Sequence, residues 1–216
     1  MFKERDLFLI PEGVGKDIAA ASLEGAHYAY SFFHLAQVQN KQKIFINGGT
    51  GAIGSALLQF VRTLDVEITA SCRPEHMDEV LQLGADRVVD YTKQNFESLP
   101  DQYDIIFDAV GKSTFGRCRS VLSEHGVYIS SELGPFAQNV FLPLITKFTK
   151  RKVYFPVPYK VEETIPFLSK MLASGTFKPL LDRTFAMHEV AKAYTYVVSG
   201  KKKGNVLLQV RSGNKV

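Results

Sequence analysis

Gly49, Gly51 and Gly54 stand at G-x-G-x-x-G spacing within Asn47-Gly48-Gly49-Thr50-Gly51-Ala52-Ile53-Gly54. The chemistry this offers is the binding of a dinucleotide pyrophosphate on bare backbone. The first glycine allows a tight turn, the second lets the phosphates approach, and the third brings a helix close to its strand. A helix that starts at such a turn aims its free N–H groups at the anion, so no charged side chain is needed. A second set follows at Thr69-Ala70-Ser71-Cys72-Arg73. An NAD site places a carboxylate about twenty residues after the first glycine, to accept from the ribose 2′-hydroxyl. Here a hydroxyl and a guanidinium take that place, and they suit the 2′-phosphate of NADP(H). A charge-assisted hydrogen bond is worth about 1.5–3 kcal/mol, so Arg73 predicts a preference for NADPH over NADH of about ten- to a hundredfold. The missing carboxylate also counts against a methyltransferase of similar architecture, which binds a ribose at the same point.

The elements that must position these residues are legible. Lys43-Ile44-Phe45-Ile46 alternates toward a strand, and Ala56, Leu57, Phe60, Val61 and Leu64 recur at helical spacing, giving strand, glycine turn, helix. Two rival motifs fail. Gly111-Lys112-Ser113 would need a glycine at position 106 to make a phosphate-binding P-loop, and that residue is Ile106. A short-chain reductase pattern wants glycine where Ser55 stands, and no tyrosine has lysine four residues on.

Along the chain, Leu7-Phe8-Leu9-Ile10 reads as a strand entering from elsewhere. Asp17 caps a long helix from Ile18 to Leu35, broken near Gly25. Further strands are expected over 66–71, 87–90, 103–110, 126–131 and 153–155, the last an edge strand because of Pro156 and Pro158. Helices over 74–83, 113–122 and 162–172 separate most of them. This alternation specifies an α/β fold, a doubly wound parallel sheet of the Rossmann type. Ligands then bind beyond the carboxyl ends of the strands, on a rim made by Asn47 to Gly54, Ser71 to Arg73, Asp108 to Gly111 and Ser130 to Gly134. Asp108 is read as bracing the turn before Gly111 and takes a place on the rim without a catalytic role. His27 and His34 have no partners at metal spacing and receive no role.

The 216 residues carry a net charge of +4 and 45% hydrophobic residues, ordinary for one large globular unit. The basic runs Lys147 to Lys152 and Lys201-Lys202-Lys203 read as solvated loops, and no nucleic-acid partner is expected. No apolar run reaches membrane-spanning length, and the N-terminus does not read as a signal peptide, so a cytoplasmic location is expected. Cys72 and Cys118 have neither disulfide nor zinc-cluster spacing.

Taken together, Asn47 to Gly54, Leu83-Gly84-Ala85-Asp86 with Asp90-Tyr91, Phe107 to Gly111, and Lys203-Gly204-Asn205-Val206 resemble the zinc-independent, quinone oxidoreductase-like branch of the medium-chain dehydrogenase/reductases. The resemblance runs from about Leu7 to Val210. It implies an NADPH-dependent reductase of quinones or activated carbon–carbon double bonds, with no metal. It further implies that Gly49, Thr50, Gly51 and Gly54 shape the phosphate turn and that backbone at Ala52 and Ile53 holds the pyrophosphate. Tyr91, with Ser71, Cys72 and Arg73, would lie near the adenosine phosphate, Val110 and Gly111 along the adenosine ribose, and Ile129 and Ser130 toward the nicotinamide. The catalytic residue and the natural acceptor are not identified.

The barrel-like N-terminal domain of that family is expected to be missing. Residues 1–17 are expected to be its linker, 18–178 the dinucleotide-binding domain, and 179–216 the segment that returns to it. Leu180 to Phe185, Glu189 to Val198 and Val206 to Val210 would be the returning strand, helix and strand, leaving Leu180, Val197, Leu207 and Leu208 exposed unless covered. A homo-oligomer is expected, with 134–148 and the 153–155 edge as the packing surface. The alternative reading is a non-catalytic NADP(H)-binding module, or a half-enzyme completed by a partner chain.

Overall fold

Alternation along each strand decides which side of a sheet a residue faces, and in this chain both sides are apolar. The computed structural model describes residues 7–157 and 161–210. Its strands are β1 (Lys43–Asn47), β2 (Glu67–Cys72), β3 (Arg87–Asp90), β4 (Tyr103–Asp108), β5 (Leu122–Ser130), β6 (Lys152–Tyr154), β7 (Leu181–Ala186) and β8 (Asn205–Gln209). The helices are α1 (Lys16–Ala21), α2 (Glu24–Ala36), α3 (Ala52–Val61), α4 (Met77–Gln82), α5 (Phe115–Cys118), α6 (Gln138–Thr146), α7 (Val161–Ala173) and α8 (Val190–Val198). The first six strands form one parallel sheet in the order β3-β2-β1-β4-β5-β6. The order reverses beside β1, whose carboxyl end therefore opens a crevice between the connections to β2 and β4. The fold is the doubly wound α/β sheet that the sequence specifies.

Ile44, Ile46, Ile105 and Phe107 turn to one face, where α2, α3 and α7 cover them with Phe32, Phe60 and Leu168. Phe45, Ile106 and Tyr128 turn to the other, under Phe96, Cys118 and Val121. Close helix packing on the first face depends on Gly25, because a Cβ there would lie 2.6 Å from the Cβ of Ala52.

Several expectations are corrected. Leu7 to Ile10 form no strand and are exposed, Leu9 at 94%. The long first helix does break near Gly25, at Ser22 and Leu23. Ser22 turns its hydroxyl back to the Ile18 carbonyl at 2.7 Å, and Gly25 lies inside α2 as a contact residue. Gly15, not Asp17, stands at the N-cap of α1. The helix expected over 113–122 shrinks to the single turn α5, capped by Thr114, because Val121 and Leu122 are drawn into the sheet, where Tyr103 N donates to the Val121 carbonyl at 2.8 Å. β6 is the edge strand expected; of its two flanking prolines, Pro158 lies outside the described residues.

The returning strand, helix and strand form as β7, α8 and β8, with β7 and β8 pairing in parallel as a small sheet of their own. Val197 and Leu208 are exposed there, while Leu180 and Leu207 are half-buried. The small sheet is fastened to the large one at the glycine turn, where Gly204 N donates to the Thr50 carbonyl at 2.6 Å.

Candidate functional site

Four strand ends are braced by one chain of buried hydrogen bonds. Ser71 Oγ donates to Asn47 Oδ1 at 2.7 Å, and Asn47 Nδ2 donates to Asp108 Oδ1 at 2.9 Å. Asp108 also accepts from Tyr128 Oη, Gly111 N and Ser113 N, each at 3.0 Å. Burial and the neighbouring Asp108 carboxylate push the Tyr128 phenol pKa up, so the phenol keeps its proton and donates it. The chain crosses β2, β1, β4 and β5 at their carboxyl ends and fixes the turns that follow them. Asp108 thus has the bracing role read from the sequence. Asn47 and Tyr128 escaped that reading, because their partners lie across the sheet.

The glycine turn rests on this brace. Gly48 N donates to Ser71 Oγ at 2.9 Å, Gly49 N to the Ser71 carbonyl at 2.8 Å and Gly51 N to the Gly48 carbonyl at 3.1 Å. The left-handed residue that makes the turn tight is Gly48, with φ 90°, and not Gly49, to which the motif assigned that job. Gly49 instead faces the core, where its Cβ would sit 3.1–3.4 Å from Val80, Ala70 and Leu58. A Cβ on Gly54 would overlap the Gly48 carbonyl, so this glycine sets the close approach of α3 to the turn. A Cβ on Gly51 would meet only the Gly48 oxygen, at 3.4 Å. Gly51 is also the N-cap of α3 and supplies no side-chain hydrogen bond. The first-turn N–H groups at Ala52 and Ile53 have no acceptor within the helix, and the Gly51–Gly204 bridge runs beside them. Thr50 adds its carbonyl to the fastening of Gly204.

At the end of β2 the side chains divide. Ser71 is buried and its hydroxyl is spent on the brace, so it does not present itself to a 2′-phosphate. The Cys72 side chain is packed in the core, and burial raises its thiol pKa to about 11. Arg73 does face outward. Its Nε donates to Tyr91 Oη at 2.9 Å, NH1 lies 3.9 Å from Glu75 Oε1, and NH2 reaches the Gly200 carbonyl at 3.5 Å. Tyr91 is itself exposed, so the pair presents one guanidinium at a fixed place beside the glycine turn.

On the other flank Val110 is exposed and packs over Gly48, and Gly111 (φ 66°) lies beneath the Glu132 side chain. Ile129 is buried in the core, and the buried Ser130 accepts a hydrogen bond from Glu132 N at 3.3 Å. Both bring backbone to the rim, but not free side chains.

The run Lys201-Lys202-Lys203 is not the solvated loop expected. Lys203 Nζ pairs with Glu79 Oε1 at 2.8 Å, and the half-buried Lys202 Nζ donates to the Gly204 carbonyl at 2.9 Å, with burial lowering its pKa. Only Lys201 is fully in solvent.

These residues fit a dinucleotide: a helix N-terminus without a side-chain cap, a glycine at its N-cap, and a cation one strand away. Among the described residues no group of three or more His, Cys, Asp or Glu side chains could hold a metal.

Comparison with known proteins places this arrangement. The chain is 27% identical over 210 residues to a 2-methylene-furan-3-one reductase of Solanum lycopersicum, covering 95% of this chain and 50% of the relative. It is 28% identical over 171 residues to the chloroplastic NADPH-dependent alkenal/one oxidoreductase of Arabidopsis thaliana, covering 77% of this chain and 40% of the relative. The chain thus spans about half the length of the curated relatives it matches. Among solved structures, the quinone oxidoreductase from Coxiella burnetii superposes with a TM-score of 0.85 at 18% identity, covering 94% of this chain and 64% of that one. The family model described as zinc-binding dehydrogenase matches residues 83–208, more than half of the sequence, and the chain belongs to that family.

Proposed function

We propose that the chain binds NADP(H) on this rim and serves an oxidoreductase that transfers hydride, without zinc, to a quinone or an α,β-unsaturated carbonyl. The observation that carries the reading is the pairing of the uncapped α3 N-terminus, behind Gly51, with Arg73 held by Tyr91 at the next strand end. The first suits a pyrophosphate and the second a 2′-phosphate. When bound, NADPH supplies the hydride. The chain's own residues then hold and orient: Ala52 and Ile53 through backbone N–H groups, Arg73 through its charge, and the Ser71–Asn47–Asp108–Tyr128 brace through the rigidity of the turns. The activities for which the relatives are named, on alkenals, enones and quinones, support the acceptor class. The proposal includes a cytoplasmic setting and a homo-oligomer in which the exposed apolar face of α6 packs on a second copy.

The test is a fluorescence titration of the purified chain with NADPH and with NADH at one ionic strength. NADPH is expected to bind about ten- to a hundredfold more tightly, and Arg73→Ala to abolish the difference by weakening NADPH alone. Equal binding of both nucleotides would remove the Arg73 argument and keep the glycine turn. No binding of either would remove the oxidoreductase reading altogether. Binding without turnover of quinones or enones would identify the chain as a cofactor-holding module.

A further inference from the structure

The connection after β5 carries three unfavourable features within four residues, 136–139. Phe136 and Ala137 are both left-handed, with φ 54° and 55°, a conformation in which the Cβ of an L-residue crowds its own backbone. Phe136 is fully exposed. Asn139 is 1% exposed; its Nδ2 donates to the Glu132 carbonyl at 2.8 Å, while its buried Oδ1 accepts no hydrogen bond. Each feature alone is tolerable, but their coincidence at a strand end marks stored strain.

The sequence here prefers a different local structure. Gly134-Pro135 is a good helix start, with glycine at the N-cap and proline at the first helical position, so a regular α6 would run from Pro135. The structure begins α6 at Gln138, with Ala137 as an N-cap that supplies no side-chain bond, and spends Phe136 and Ala137 on the left-handed turn. Gly134, with φ 69°, is the hinge. The turn also belongs to the rim. Ser131 N donates to the Asp108 carbonyl at 3.2 Å, and the Glu132 side chain covers Gly111.

We propose that Gly134–Gln138 is a flap at the acceptor end of the rim, open in this structure. It closes by recruiting Phe136 and Ala137 into α6, and Phe136 is the residue it lays against a flat, conjugated acceptor of the enone or quinone class. Closure relieves both left-handed residues, removes an exposed ring from water and gives the acceptor an aromatic face. The inference rests on the cofactor and acceptor reading above, and its test separates the two.

The chain contains no tryptophan, so Phe136→Trp places a single reporter on the flap. Acrylamide quenching is measured on this variant alone, with NADP+, and with NADP+ plus cyclohex-2-enone, a pair that cannot react; calorimetry records NADP+ binding in parallel. Quenching is expected to fall at least about threefold in the ternary mixture. Unchanged quenching with NADP+ demonstrably bound overturns the flap and leaves the cofactor site standing. No NADP+ binding and no change in quenching overturns both. Ala137→Gly provides the second arm, because glycine accepts the left-handed turn and favours the open state by about fivefold. The dissociation constant for cyclohex-2-enone, measured with NADP+ bound, is expected to rise about fivefold while that for NADP+ alone stays unchanged. An unaltered enone constant in Ala137→Gly overturns the proposal.

Discussion

Gly51 and Gly54 belong to the same motif, yet a methyl group would do different things at each. At Gly54 it would overlap the Gly48 carbonyl; at Gly51 it would make only an ordinary contact, 3.4 Å from the Gly48 oxygen, beside the α3 N-terminus. Gly54→Ala is therefore expected to cost about 3 kcal/mol of folding stability. Gly51→Ala keeps an ordinary φ of −71° and is expected to cost about 1 kcal/mol or less, while lowering NADPH affinity at least about tenfold. Thermal melts read beside nucleotide titrations check this. Equal losses of stability, or an undisturbed affinity in Gly51→Ala, would count against Gly51 as the point of phosphate approach. At this scale the sequence was informative where a residue type has one strong use. The glycine turn and the guanidinium at the end of β2 were visible without coordinates, though the partners that hold Arg73, namely Tyr91, Glu75 and the Gly200 carbonyl, were not. Ser71 and Cys72 were not, because a residue at a strand end points to the rim or to the core according to its place in the pleat.

Among the elements, the turn after β1 and the end of β2 act as one unit through Ser71. Ser71→Ala leaves Gly48 N–H without its acceptor and Asn47 Oδ1 without its donor, at a cost of about 1–3 kcal/mol. Because Ser71 holds the turn rather than the 2′-phosphate, the variant is expected to weaken NADPH and NADH binding by the same factor, whereas Arg73→Ala weakens NADPH alone. A selective loss of NADPH in Ser71→Ala would return the hydroxyl to the phosphate. Most strands were legible to within a residue or two because their alternation is local: Arg87–Asp90 is as expected, and β1 and β2 nearly so, whereas β5 begins at Leu122, four residues before the expected start. The brace was not legible, since it depends on registers such as Asn47 opposite both Ser71 and Asp108, set by chain segments far apart. The helix expected over 113–122 failed for the related reason that pairing with β4 outweighed local helical preference.

For the molecule as a whole, the most conspicuous surface is the outer side of α6. Phe141, Leu144, Ile145 and, just beyond the helix, Phe148 are exposed there, next to the free edge of β6. Its basic neighbours are largely committed within the chain, Lys152 to the carbonyls of Thr146 and Lys147, and Arg151 to those of Leu122 and Ser123. Two such faces can therefore meet with little opposing charge, exposed Lys147 being a base of this run with no side-chain partner among the described residues. Sedimentation is expected to show a dimer, and the double substitution Phe141→Glu with Ile145→Glu to yield a monomer of unchanged fold. A wild-type chain that sediments as a monomer at high concentration would remove this surface as the contact between copies.

The Gly204–Thr50 fastening has a mechanical consequence. The small sheet of β7 and β8 is held by one end to the turn proposed to grip the pyrophosphate, so any body that seats against that sheet gains a lever on the turn. A push that shifts Gly204 pulls on Thr50, and with it on the turn beside the uncapped N–H groups of α3. Occupancy at one end of the molecule and grip at the other then become a single adjustable quantity, transmitted through the Gly204–Thr50 hydrogen bond and the neighbouring Lys203–Glu79 pair.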